Sequence, residues 1–139
     1  MPWSESFSLG HRELDAQHRS MVELINRACL ARDAESRLRL LAELERVTET
    51  HFECEEMVLE QLYRAAPKER RMLRDTLSAA LIEHAAGHRL RLAEVRAMSH
   101  ALGTETDAGD AKFGDELRAW FVGHAIGADA QLKTALQSA

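Results

Sequence analysis

The stretch HFECEE, residues 51–56, places a histidine and three acids in the middle of an otherwise ordinary amphipathic run. His51 and Glu55 are four positions apart, so on a helix they share one face and lie one turn from each other. Apolar residues recur on the same face at three- and four-residue spacing: Leu40, Leu44, Val47, Val58 and Leu62. The stretch therefore predicts a helix that has two polar side chains, His51 and Glu55, on the face that packs against the protein core.

The composition of the 139-residue chain predicts a single domain over residues 1–139 and excludes several classes of protein. Apolar residues make up 45% and charged residues 29%, which is typical of a globular protein. No apolar run approaches the roughly 20 residues that cross a bilayer, and MPWSESFSLG is not a signal peptide. A net charge of −5 without a basic stripe excludes nucleic acid as a partner. Two cysteines are too few for a disulfide framework, so we expect a cytoplasmic protein.

Periodicity and helix-breaking residues divide the chain into four helices after an extended N-terminal arm. The second helix is predicted from about Ala34 to Arg64, and Pro67 prevents its smooth continuation. The third helix ends at Gly103, and the stretch GTETDAGD (103–110) is a loop before the fourth. The predicted fold is all-α, an antiparallel up-and-down four-helix bundle.

The connection between the second and third helices is unusually long. Glu55 lies about nine residues, or roughly 14 Å, from the predicted end of its helix at Arg64. His84 lies about 17 residues, or roughly 26 Å, beyond Pro67 if one straight helix begins there. Glu55 and His84 lie at the same level of an antiparallel hairpin only if these two distances agree. Because the distances differ, we expect an extra short helix or bent segment here, with the third helix proper starting near Asp75 to Ser78.

Every predicted helix turns polar groups inward near the middle of the bundle. In chain order these residues are His18, His51, Glu55, His84, His88, His124 and Asp129. The spacing of His124 and Asp129 is irregular, because five steps on an α-helix rotate a side chain by about 140°. Asp129 must therefore reach around the helix, or the helix must distort locally.

Five imidazoles and two carboxylates in one core point to metal ions, because no lysine or arginine occupies the inward faces to neutralise the acids. An unpaired buried carboxylate costs several kcal/mol, whereas a whole domain is stable by only about 5–15 kcal/mol. Seven ligands exceed the four of a zinc site and fit two octahedral ions bridged by the carboxylates. The donor set suits iron, and the spacing leaves manganese, cobalt and zinc open.

The same residues occur in a set of motifs that spans most of the chain. These are Trp3 with Leu9-Gly10, then LDAQH (14–18), HFECEE (51–56), HAAGH (84–88) and WFVGHAIGAD (120–129). In these motifs the chain resembles the hemerythrins, specifically the single-domain bacterial type.

The resemblance implies two iron ions with a bridging oxo or hydroxo group. His84, His88 and His124 would complete one iron, and His18 and His51 would hold the other. Glu55 and Asp129 would bridge them. The second iron has one ligand fewer, so dioxygen would bind at its open position.

The chain departs from the family at the expected pocket wall. Phe121 stands where the family commonly has leucine, and Ala125 where it commonly has isoleucine. We expect Phe121 to form the apolar wall of the dioxygen pocket.

Three functions are compatible with such a centre. They are reversible dioxygen binding for storage, delivery or sensing, a di-iron enzyme acting on peroxide or nitric oxide, and a metal-storage or structural bundle. Oxygen-activating di-iron bundles typically use four carboxylates and two histidines. The imidazole-rich set favours reversible dioxygen binding, so we expect dioxygen as the ligand and no enzyme. The sequence does not identify a protein partner.

Overall fold

Four helical rods succeed one another in the computed structural model, which describes residues 1–104 and 110–138. The first three are α1 (Arg12–Leu30), α2 (Ala34–Ala65) and α3 (Arg71–Thr104). The fourth comprises α4 (Asp110–Val122), a π-helical turn (Gly123–Ala128) and α5 (Asp129–Ser138). A short 3₁₀ turn, Glu5–Phe7, lies in the N-terminal arm. The all-α four-helix prediction is confirmed.

Local chemistry accounts for the boundaries of α2. The side chain of Asp33 accepts a hydrogen bond from the amide of Ser36 (2.7 Å), which is a typical N-cap. At the other end Ala66 is extended, with φ −67° and ψ 130°, because the residue before a proline disfavours the helical conformation. Both ends therefore lie within one residue of the sequence prediction.

The start of α3 differs from the prediction. Residues 67–70 form a turn, closed by the amide of Arg70 on the carbonyl of Pro67 (3.0 Å), and α3 runs unbroken from Arg71. A third helix starting near Asp75 to Ser78, after a separate short helix, is therefore wrong. The predicted GTETDAGD loop lies partly within α3, which includes Gly103 and Thr104, and its residues 105–109 lie outside the described residues.

The contacts between α2 and α3 show how the surplus length is accommodated. Arg74 donates to the carbonyls of Tyr63 (3.3 Å) and Ala66 (3.0 Å) at the end of α2. The first turn of α3 therefore extends past the end of α2 rather than lying beside it. Farther along, Glu55 lies level with His88, which is 2.9 Å away. The assumption that failed was that α3 begins at the level at which α2 ends.

The apolar core is divided into two clusters with the polar layer between them. The cluster toward one end includes Met21, Ile25, Leu44, Val95, Leu117 and Phe121. The cluster toward the other end includes Leu14, Leu59, Leu77, Ala80 and Leu132. Each of the four helical rods has residues in both clusters. Along each rod, the inward-facing histidines and acids lie between the residues of one cluster and the residues of the other. The apolar clusters thus hold the polar groups of all four rods at one level.

The N-terminal arm packs across α1 and α4. The Met1 ammonium donates to the side chain of Asn26 (2.6 Å), and the Arg19 guanidinium lies 4.4 Å from the Trp3 ring centroid. Phe7 is buried and packs edge-on against Phe121, with ring centroids 5.1 Å apart. The arm therefore covers this side of the polar layer. Among the described residues, no helix has the length and apolar character needed to cross a membrane.

Candidate metal centre

All seven predicted ligand side chains are buried in the polar layer. His18, His51, Glu55, His124 and Asp129 have no exposed surface, and His84 and His88 are at most 4% exposed. They come from α1, α2, α3 and the fourth rod, whose inward faces meet at this level. The helical spacing thus predicted their burial correctly.

The π-helical turn brings His124 and Asp129 together. The amide of Asp129 donates to the carbonyl of His124, five residues earlier, as in a π-helix. The wider turn puts both side chains on one face, so that Nε2 of His124 lies 3.1 Å from Oδ2 of Asp129. Local distortion of the helix, one of the two expected solutions, is the one that the structure shows.

Five of the side chains converge on one point. His18, His51, Glu55, His124 and Asp129 each offer a ligand atom, and these atoms all lie within 4.8 Å of one another. Nε2 of His51 lies 2.6 Å from Oε1 of Glu55. Nε2 of His18 lies 3.0 Å from Oδ2 of Asp129. This spacing is close enough for a shared cation.

The two histidines of α3 join this group through the carboxylates. Nε2 of His88 donates to Oε2 of Glu55 (2.9 Å), the oxygen that does not face His51. Nε2 of His84 lies 3.9 Å from Oδ1 of Asp129, the oxygen that does not face His18. Each carboxylate therefore has one oxygen toward the α3 histidines and one toward His18 and His51, as bridging ligands of a two-metal centre would.

His124 is placed differently from its expected grouping with His84 and His88. Its Nε2 lies 3.4 Å from Nε2 of His51 and 3.5 Å from Oε1 of Glu55. Burial lowers the pKa of His124, but the negative charges of the nearby Asp129 and Glu55 carboxylates outweigh it and raise that pKa to about 10. His124 thus lies between the two carboxylates, on the side that faces His18 and His51.

Several buried atoms of the layer lack a hydrogen-bond partner among the described residues. They are Nε2 of His18, Oε1 of Glu55, Nε2 of His84, Nδ1 of His88, Nδ1 of His124 and both carboxylate oxygens of Asp129. Each such atom costs about 1–3 kcal/mol when it is left unpaired. A cation would compensate this cost, and imidazole with carboxylate is a donor set that suits transition metals. The residues therefore fit a metal centre.

A family model describing the hemerythrin HHE cation-binding domain matches residues 9–136. The chain belongs to the hemerythrin family. No curated protein and no solved structure shows a significant match to it. The match covers nearly the whole chain, and in this hemerythrin a cation-binding role agrees with the buried His, Glu and Asp group.

Contacts behind the ligands orient two of the imidazoles of this hemerythrin. Nδ1 of His18 donates to the carbonyl of Phe7 (2.7 Å), and Nδ1 of His51 donates to Oε1 of Gln17 (2.7 Å). Gln17 in turn donates to Sγ of Cys54 (3.3 Å), which fixes its amide. Protons held on Nδ1 leave Nε2 of both rings free for a metal. Sequence reasoning missed Gln17, although it immediately precedes His18 in LDAQH.

Two phenylalanines form apolar walls of the hemerythrin centre. Phe121 is fully buried and lies edge-on to His18, with ring centroids 5.6 Å apart. Phe52 stacks on His88 with an interplanar angle of 2° and centroids 3.9 Å apart. Phe121 thus lies beside His18, and its role as the wall of a dioxygen pocket stays a prediction; the contact of Phe52 was not predicted.

Burial and charge set the protonation of the remaining groups. Burial raises the pKa of Glu55, but the nearby His51, His124 and His88 outweigh it and hold that pKa well below its usual value. Burial lowers the pKa of both His51 and His84. These shifts favour an anionic Glu55 and neutral imidazoles at His51 and His84, which are the forms that bind metal ions.

Proposed function

We propose that this hemerythrin domain binds dioxygen reversibly at a carboxylate-bridged di-iron centre. The observation that carries the proposal is the division of the two carboxylates, each with one oxygen toward the α3 histidines and one toward His18 and His51. By resemblance to the family, His84, His88 and His124 would hold one iron, and His18 and His51 the other. His124 would have to turn for this, because its Nε2 lies beside the carboxylate oxygens that face His18 and His51. Glu55 and Asp129 would bridge both ions. When bound, the iron pair supplies the two electrons that dioxygen binding requires.

The donor set supports binding over oxidation chemistry. Oxygen-activating di-iron bundles use four carboxylates and two histidines, and this layer has two carboxylates and five histidines. Apart from the seven predicted ligands, the buried polar side chains among the described residues are those of Arg37 and Thr48. Neither Arg37 nor Thr48 is an acid, a lysine or a tyrosine, which are the side chains that an enzyme of this kind would use as a proton donor. We therefore propose a binding protein rather than an enzyme.

Reversal of the oxygenated spectrum tests this function. Anaerobically reduced, iron-loaded protein should develop a visible absorption band on exposure to air, and the band should disappear when dioxygen is removed. Several cycles should return the same amplitude. Catalytic consumption of peroxide or nitric oxide, with a band that decays instead of reversing, would favour the enzyme alternative. Iron uptake without any dioxygen-dependent band would favour storage or a structural role.

Replacement of Phe121 by Ala should speed the autoxidation of the centre without removing its metal. Phe121 contacts the ring of His18 but offers no ligand atom, so its loss opens the wall to water and anions. Truncation of a buried phenylalanine also costs about 3–5 kcal/mol of stability, so measurements belong well below the melting temperature. Autoxidation rate, azide binding and metal content check the expectation.

Phe113→Ala is a matched control, because Phe113 is a buried phenylalanine of the fourth rod that packs in the same apolar cluster. It should destabilise the fold without changing autoxidation. Loss of metal in Phe121→Ala, but not in Phe113→Ala, would contradict the assignment of Phe121 as a wall.

A further inference from the structure

A groove between α2 and α3 reaches the metal layer from the surface. It has a volume of about 330 Å³. Its lining comprises Glu49, Phe52, Glu53, Glu56, Ala85, His88, Arg89 and Leu92. Three carboxylates and a single guanidinium give its mouth a negative balance. His88, a predicted ligand, forms part of the groove and is otherwise buried.

The inner end of the groove contains a polar atom without a hydrogen-bond partner. Nδ1 of His88 is buried and lies 3.4 Å from Oε1 of Glu56, without a hydrogen bond between them. The other ring nitrogen of His88 contacts Glu55 in the metal layer (2.9 Å). The Glu56 side chain is 38% exposed, so it lies between solvent and the buried imidazole. Carboxylates and an imidazole thus form a continuous series from the surface to the bridging position.

The opposite side of the layer is less suitable for a hydrated cation. There the N-terminal arm covers α1 and α4, and Phe7 and Phe121 are both buried. A gas crosses such an apolar wall readily, whereas a divalent ion requires oxygen or nitrogen ligands while it loses water.

We propose that this groove is the loading site through which divalent metal ions enter the centre. The inference rests on the proposed di-metal function. Glu49 and Glu53, both exposed, attract the hydrated cation, and Glu56 binds it beside His88. Rotation of the His88 ring away from Phe52 then transfers the ion to Glu55. The small side chain of Ala85 keeps the groove open.

Stopped-flow mixing of apoprotein with Co²⁺ tests the loading site, because this ion reports its binding by visible absorption and needs no exclusion of oxygen. Glu49→Gln/Glu53→Gln should load about tenfold more slowly at low salt, within the range expected for a cleft of one charge sign. Added salt should slow wild-type loading and have little effect on this variant. The final metal content should stay unchanged, since neither residue is a ligand of the centre.

Two further variants separate charge from access. Glu60→Gln/Glu69→Gln removes the same two negative charges at exposed residues outside the groove, and should load at the wild-type rate. Ala85→Leu should slow loading by narrowing the groove while keeping its salt dependence. If the double variant and Ala85→Leu both load as fast as wild type, the groove is not the route. If wild-type protein binds no Co²⁺ at all, the proposed centre itself fails, and the loading site with it.

Discussion

Glu55→Ala is expected to reduce the metal content below two ions per chain and to abolish the paired centre. One oxygen of Glu55 contacts His51 (2.6 Å) and the other contacts His88 (2.9 Å), so this side chain joins α2 to α3 within the layer. Removing one member of a buried ionic group also destabilises apoprotein, by about 3–5 kcal/mol, because the remaining charges lose their partner. Metal analysis after reconstitution, together with urea unfolding of apoprotein, measures both effects.

Glu60→Ala is the appropriate control for this experiment. Glu60 lies on the same helix, is exposed, and forms a surface ion pair with Arg64, so its loss should cost about 0.5 kcal/mol or less. It should leave the metal content unchanged. A normal dioxygen-binding spectrum in Glu55→Ala would show that Glu55 does not bridge the two ions.

Removal of metal should lower the melting temperature by at least about 10 °C. A ligand that binds only the native state at a thousand times its Kd stabilises that state by about 4 kcal/mol. In a domain of this size each kcal/mol corresponds to roughly 3–5 °C. The unpaired buried atoms of His18, His84 and Asp129 supply the physical reason, since a bound cation would satisfy them. Calorimetry of reconstituted and chelated protein, with metal analysis of the same samples, measures the change.

The control for the chelation experiment is to add the metal back to the chelated protein. Reconstituted protein should contain two ions per chain and regain its melting temperature. One ion per chain at saturation, or equal melting temperatures with and without metal, would contradict the di-metal centre.

Local sequence signals determined most of the bundle and its polar layer. The helical spacing of His51 with Glu55, and of His84 with His88, placed each pair inward because burial on a helix repeats every three to four residues. Asp33 and Pro67 marked the ends of α2 because caps and prolines act within a few residues. The irregular five-residue interval between His124 and Asp129 indicated a distortion, although it did not specify a π-helical turn.

Other features depended on contacts between segments distant in the chain. The level at which α3 passes α2 is set by Arg74 at the end of α2 and by Glu55 with His88, so counting residues from the turn gave the wrong helix start. His124 lies between carboxylates on two helical segments, Glu55 of α2 and Asp129 of α5, and its spacing in the sequence does not specify this position.

The residues that hydrogen-bond to the predicted ligand histidines, and the groove between α2 and α3, could likewise be identified only from the tertiary structure. Gln17 reaches His51 on the next helix, and the Phe7 carbonyl reaches His18 from the N-terminal arm. The carboxylates of the groove are on α2, but they surround a histidine of α3. A sequence specifies which face of a helix is buried through short-range periodicity. The partner that this face meets depends on how the whole bundle packs, and this is why the burial of the seven side chains was predictable and their neighbours were not.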